Sequence, residues 1–130
     1  MTSPLTFLIV DDDIPLTVFF KDTLQYAGHR VFVAVNEHGA LETVKRESID
    51  IMICDYLLPG MDGSAIVDIV KLHNKETFCV LISGHTQHLV DNQKNFSNIE
   101  MVIAKPVLKE TLMQIINQYQ LTKTAKKQSI

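Results

Sequence analysis

A doubly wound α/β fold, built on one parallel five-stranded sheet with helices on both faces, is predicted by three observations. Short apolar runs alternate with longer segments of helical period, which is the sign of βα units. Several of the runs are nearly continuous in Val, Ile, Leu, Phe and Met, as strands covered on both faces are. The 130 residues, 46% hydrophobic and 21% charged, suit a single core and leave little room for a second.

The strands fall at residues 5–10, 30–35, 49–54, 78–83 and 99–104. Between the first two, Leu16, Phe19, Phe20, Leu24 and Ala27 recur at steps of three and four, and Gly28 follows where a helix would stop. The same logic gives helices over 37–47, 63–74 and 108–119, the last with Leu108, Leu112, Ile115, Ile116 and Tyr119 on one stripe. Residues 85–98 carry Asn92, Asn95 and Asn98 and few apolar side chains, so the fourth helix is expected to be short or mobile. After Leu121 the hydrophobic period fades into TKTAKKQSI. A domain over 1–121 and a flexible tail or linker start over 122–130 are therefore expected.

Composition bounds the function classes. A net charge of -3 supplies no basic field, so nucleic acid is not expected as a direct partner. No run of about 18 apolar residues occurs and the N-terminus lacks the signal-peptide pattern, so no membrane contact is expected and the compartment is read as cytoplasmic. Cys54 and Cys79 lie inside apolar runs without metal-type spacing and read as buried thiols.

In an open parallel sheet, ligands bind at the carboxyl ends of the strands, near the point where strand order reverses. Those ends carry Asp11, Asp12 and Asp13, then Asp55, then Ser83, then Lys105 ahead of Pro106. With strand order 2-1-3-4-5 they would share one pocket. At about 4 Å each carboxylate pair repels by roughly 1 kcal/mol in water and about 4 at an effective dielectric near 20. Lys105 alone does not offset three such charges, whereas Mg²⁺, a hard cation that accepts carboxylate oxygens and water, does. A carboxylate can attack phosphorus, and Asp55 is the candidate, with metal, Lys105 ammonium and Ser83 hydroxyl available for the transferring oxygens.

LIVDDD, ICDYLLPGMDG, VLISG and AKP resemble, in order and spacing, the four signature segments of response-regulator receiver domains, and they span residues 8–106. The resemblance implies a flavodoxin-like (βα)5 fold. It makes Asp55 the phosphoacceptor, Asp12 a direct Mg²⁺ ligand, Asp11 a ligand through water, and the backbone carbonyl of Leu57 a further ligand. Ser83 and Lys105 would contact the phosphoryl group. The implied donor is a phosphohistidine on a sensor histidine kinase or phosphotransfer protein. The domain would catalyse only its own phosphorylation and dephosphorylation and would not otherwise be an enzyme. Self-association through the face of the fourth and fifth helices is a further expectation, and His85, two residues after Ser83, would influence how water reaches the acyl phosphate.

Plainer roles suit other residues. Asp13 reads as a helix cap ahead of Pro15, and Pro59, Gly60, Asp62 and Gly63 as turn formers without chemistry. Cys54 reads as core, and the five histidines as mostly solvent-facing. Two departures from the family stand out. Val102 replaces the usual Tyr or Phe three residues before the lysine, and FSNIEM replaces the Gly-Ala pair before the fifth strand. Two alternatives stay open: an interaction module that keeps the fold but signals without phosphorylation, and an aspartyl-nucleophile phosphatase of the haloacid-dehalogenase type.

Overall fold

The computed structural model describes residues 3–84 and 97–128. The chain runs β1 (Thr6–Val10), α1 (Ile14–Tyr26), β2 (Arg30–Ala34), α2 (Glu37–Arg46), β3 (Ile51–Asp55), a short hairpin β4 (Leu57–Leu58) and β5 (Met61–Asp62), α3 (Gly63–His73), β6 (Phe78–Ser83), β7 (Met101–Ala104) and α4 (Lys109–Gln128). The main sheet is parallel throughout and ordered β2-β1-β3-β6-β7. With the hairpin set aside this is the predicted 2-1-3-4-5.

Period-two alternation sorts the strand side chains between two helical layers. Leu8 and Val10 of β1, with Met52 and Cys54 of β3, pack toward Ala40 of α2 and Ile66, Val67 and Val70 of α3. Phe7 and Ile9, with Ile51 and Ile53, pack toward Phe20 and Leu24 of α1 and Leu112 and Ile115 of α4. Both faces of the central strands are therefore dry, and each buried Leu, Ile or Phe contributes about 1.5–3 kcal/mol. Cys54 and Cys79 are buried free thiols in the first of these layers.

The helix starts follow from capping chemistry. The Asp13 side chain accepts from Leu16 N at 3.2 Å with Pro15 in the first turn. The Asn36 side chain accepts from Gly39 N at 2.9 Å and that of Asp62 from Ala65 N at 3.1 Å. Gly28, at φ 97°, ends the turn after α1 in the left-handed region that glycine tolerates.

The structure revises three expectations. The last helix does not stop near Tyr119 but runs to Gln128. The lysines that read as a tail signal anchor it: Lys123 and Lys126 reach Glu76 at 3.3 and 3.1 Å, and Lys123 lies 5.4 Å from the centre of the Tyr119 ring. His29 is buried rather than solvent-facing, with its Nδ1 accepting from Leu5 N at 3.0 Å. Burial lowers its pKa. Asp55 is the last residue of β3 rather than the first beyond it. Of the segment expected to form a weak fourth helix, residues 85–96 lie outside the described residues, and with them His85.

The FSNIEM departure has a local explanation. Glu100 N donates to Cys79 O at 2.9 Å, and the Glu100 carboxylate accepts from Cys79 N at 2.8 Å. A side chain thus takes the place of a strand acceptor just ahead of the first β6–β7 pair, Val80 with Met101. Lys71 of α3 matches the charge, binding Glu100 and donating to Thr77 O at 2.7 Å. Val102 stands 44% exposed on β7, and no ring is available there to turn inward.

Candidate phosphoacceptor site

Four neighbouring strands deliver the polar residues to one edge of the sheet. Asp11 and Asp12 follow β1, Asp55 ends β3, Ser83 ends β6 and Lys105 follows β7. Backbone bonds beyond the strands hold these ends in register: Asp11 N donates to Ala34 O at 3.1 Å, Tyr56 N to Ile82 O at 2.9 Å and Lys105 N to Ser83 O at 2.8 Å. Lys105 is joined to Pro106 by a cis peptide.

Asp11, Asp12 and Asp55 each offer a carboxylate oxygen, and the three lie within 4.8 Å of one another. Lys105 Nζ sits 3.3 Å from Asp55 Oδ2, and Leu57 N donates to Asp55 Oδ1 at 3.2 Å. The Asp55 carboxylate is thus held from both oxygens while its residue stays 7% exposed. Ser83, 1% exposed, ends the strand that lies between those of Asp55 and Lys105.

Asp11 is the unsettled member. It is fully buried, and only its Oδ1 is satisfied, by Asp13 N at 2.9 Å. Its Oδ2 has no hydrogen-bond partner among the described residues. Burial raises its pKa to about 6, the Asp13 N–H opposes the rise, and the nearby Asp55 charge adds to it. A buried carboxylate oxygen with no donor costs free energy, and two more acids beside it add repulsion. The donor set is all oxygen, clustered and net negative, which fits a hard divalent cation such as Mg²⁺ and not zinc or a soft metal.

The family model for the response regulator receiver domain matches residues 7–117. The chain belongs to this family. It is therefore a receiver domain of two-component signalling type, and the phosphatase alternative is set aside. Sporulation initiation phosphotransferase F of Bacillus subtilis is 24% identical to this receiver over 113 residues, covering 86% of this chain and 90% of that protein. Other curated relatives are longer: the receiver spans 22% of the Candida albicans transcription factor SKN7 and 12% of the Pseudomonas protegens sensor histidine kinase GacS, at 24% and 25% identity over 93% and 84% of this chain.

Solved structures carry the fold. A CheY-like receiver domain from Methanospirillum hungatei superposes with a TM-score of 0.82 at 23% identity, over 96% of this chain and 99% of that one. The Thermotoga maritima response regulator TrrA, solved in complex with Mg²⁺-BeF, gives 0.78 at 20% identity over 88% and 98%. None of the described helices of the receiver is long and apolar enough to cross a membrane.

Asp11, Asp12, Asp55, Ser83 and Lys105 all stand at this edge of the sheet, and Leu57 follows in the hairpin, its N–H on Asp55. Asp13 caps α1 and Cys54 is core, as read. The sequence reading missed Gly63. It is the first residue of α3, and a Cβ there would run into the carbonyl oxygen of Asp55 and lie 3.0 Å from Leu81 Cδ2 and 3.1 Å from Tyr56 Cα. The available signal was a glycine directly after a capping aspartate, where a helix can start with any residue.

Proposed function

We propose that Asp55 accepts a phosphoryl group from the phosphohistidine of a sensor histidine kinase or phosphotransfer protein, with Mg²⁺ bound beside it. The observation that carries this reading is the cluster itself: three carboxylates within 4.8 Å, one of them with a buried oxygen that no donor among the described residues meets, and a lysine on the central acid. An Asp55 carboxylate oxygen attacks phosphorus, the bond from phosphorus to the donor imidazole nitrogen breaks, and that nitrogen keeps the electron pair. The Lys105 ammonium and the Ser83 hydroxyl meet the charge on the phosphoryl oxygens. Asp11, Asp12, Asp55 and the backbone carbonyl of Leu57 would hold the metal, which when bound supplies positive charge to the acids and to the transferring group.

In this reading the domain acts on itself alone, in phosphorylation and dephosphorylation, and works in the cytoplasm as a signalling module. Self-association would use the face of α4 together with the segment ahead of β7. A second reading, a receiver-like adaptor that signals without phosphorylation, draws support from exposed Val102 where receivers carry an aromatic ring.

Intact mass after incubation with acetyl phosphate separates the two. A Mg²⁺-dependent gain of one phosphoryl group in wild type, base-labile and absent in Asp55→Asn, is expected. No gain in wild type from acetyl phosphate or from a phosphorylated phosphotransfer protein would overturn phosphorylation in favour of the adaptor.

A further inference from the structure

We infer that Gly63 is a positioning residue for phosphoryl transfer: its lack of a side chain lets α3 begin directly against the backbone of Asp55, and that contact sets where the acceptor carboxylate stands. The inference rests on the reading of Asp55 as acceptor.

The main chain around Asp55 is confined on every described side. Tyr56 N donates to Ile82 O at 2.9 Å, and Gly63 N donates to Tyr56 O at 2.6 Å. Leu81 of β6, itself fully buried, closes the space beside Gly63. A Cβ at position 63 would meet the Asp55 carbonyl oxygen closer than real Cβ atoms approach anything. Its neighbour there is backbone, not the loose end of a side chain, so either α3 or the end of β3 must move.

Both bodies are buried: Ile66, Val67 and Val70 seat α3 in the core and the Asp62 cap pins its first turn, while β3 is paired on both sides up to its last residue, Asp55. The added Cβ presses on the carbonyl of that last residue, and any shift there carries the Asp55 carboxylate relative to Lys105 Nζ at 3.3 Å and to the oxygens of Asp11 and Asp12. Transfer depends on alignment, and a displacement of about 1 Å costs on the order of 10²-fold in rate. This close approach, rather than a positive φ, is what the position asks of glycine.

The test compares Gly63→Ala with Val70→Ala, which thins the core of the same helix without touching Asp55. Single-exponential phosphorylation by saturating acetyl phosphate and Mg²⁺ is followed by intact mass. Misfolded molecules reduce the amplitude of this reaction, whereas a misplaced acceptor reduces the rate constant of the molecules that react. Gly63→Ala is expected to lower the rate constant at least tenfold, while Val70→Ala lowers thermal stability and keeps the rate constant within twofold.

Should Gly63→Ala fail to fold, Asp62→Ala loosens the first turn of α3 without adding an atom at the contact, and a severalfold slower rate constant is expected. An unchanged rate constant in the folded variant, or an equal loss in Val70→Ala, overturns the role of Gly63 while leaving Asp55 the acceptor. A wild type that gains no phosphoryl group on Asp55 removes the underlying reading and this inference together.

Discussion

The two ends of the sheet handle buried polar groups in opposite ways. At the N-terminal edges of the strands, each such group has a partner. Asp50 Oδ2 accepts from Thr6 N at 2.8 Å, Thr77 Oγ1 donates to Ile49 O at 2.9 Å, and His29 Nδ1 accepts from Leu5 N at 3.0 Å. Burial, with the Asp50 charge nearby, pushes the pKa of Tyr119 up to about 12. At the C-terminal edges three acids crowd together, and one buried oxygen has no partner among the described residues. One edge is settled by the chain itself. The other is left to be completed by something that binds, which is how a binding site differs from a structural polar network.

The contrast predicts that changes at the C-terminal edge alter chemistry more than stability. Lys105→Ala removes a cation from Asp55, and the phosphorylation rate constant is expected to fall by about 10²–10³, the usual effect of losing one preorganised donor. Its unfolding midpoint should move little, since the pair is partly exposed to solvent. A loss of stability without a loss of rate would reverse the assignment of the two edges.

Next in size is the pH response of the metal-free protein. The folded-state pKa of Asp11 is raised to about 6 from 3.8, so the folded state holds the proton more tightly. Its favourable contribution is complete below about pH 4 and is lost as pH rises through 6. Asp11→Asn should therefore equal wild type near pH 4 and exceed it at pH 7 by up to about 3 kcal/mol, from roughly two pKa units. Adding Mg²⁺ at pH 7 should restore wild type and not the variant, by about 2.7 kcal/mol at a hundredfold excess over the dissociation constant. Urea unfolding at the two pH values reads both effects, and a pH-independent difference would remove Asp11 as their source.

At the opposite edge, Asp50→Ala leaves Thr6 N without its partner. A loss of about 1–3 kcal/mol is expected in urea unfolding, with an unchanged phosphorylation rate constant in the folded molecules. A slowed rate constant would show the two edges to be coupled.

The smallest effect concerns His29, whose lowered pKa favours the neutral ring in the folded state. Its contribution is present above about pH 6.5 and is lost as pH falls through the folded-state value, opposite in sign to Asp11. Wild type should lose more stability than His29→Gln between pH 7.5 and 5. Parallel losses would show that the ring does not titrate on unfolding.

The sequence by itself determined the strands, the helical period behind the two-layer core, and which polar residues stand at strand ends, Asp11, Asp12, Asp55, Ser83 and Lys105. These follow from short-range pattern: apolar runs fix strands, helical period fixes the layers, and in a parallel sheet the residue after each strand goes to a known edge. The order 2-1-3-4-5 was that of the flavodoxin-like fold and came with the resemblance. Tertiary structure alone decided what depends on contacts between segments far apart in the chain. The tail lysines lie on a helix that runs past Tyr119, where Lys123 and Lys126 meet Glu76, some 50 residues earlier. Glu100 became a strand substitute because Lys71 and Cys79 come to it. Gly63 is a turn former until the fold brings it against the carbonyl of Asp55. Local period carries no information on which backbone will lie within a methyl group's reach.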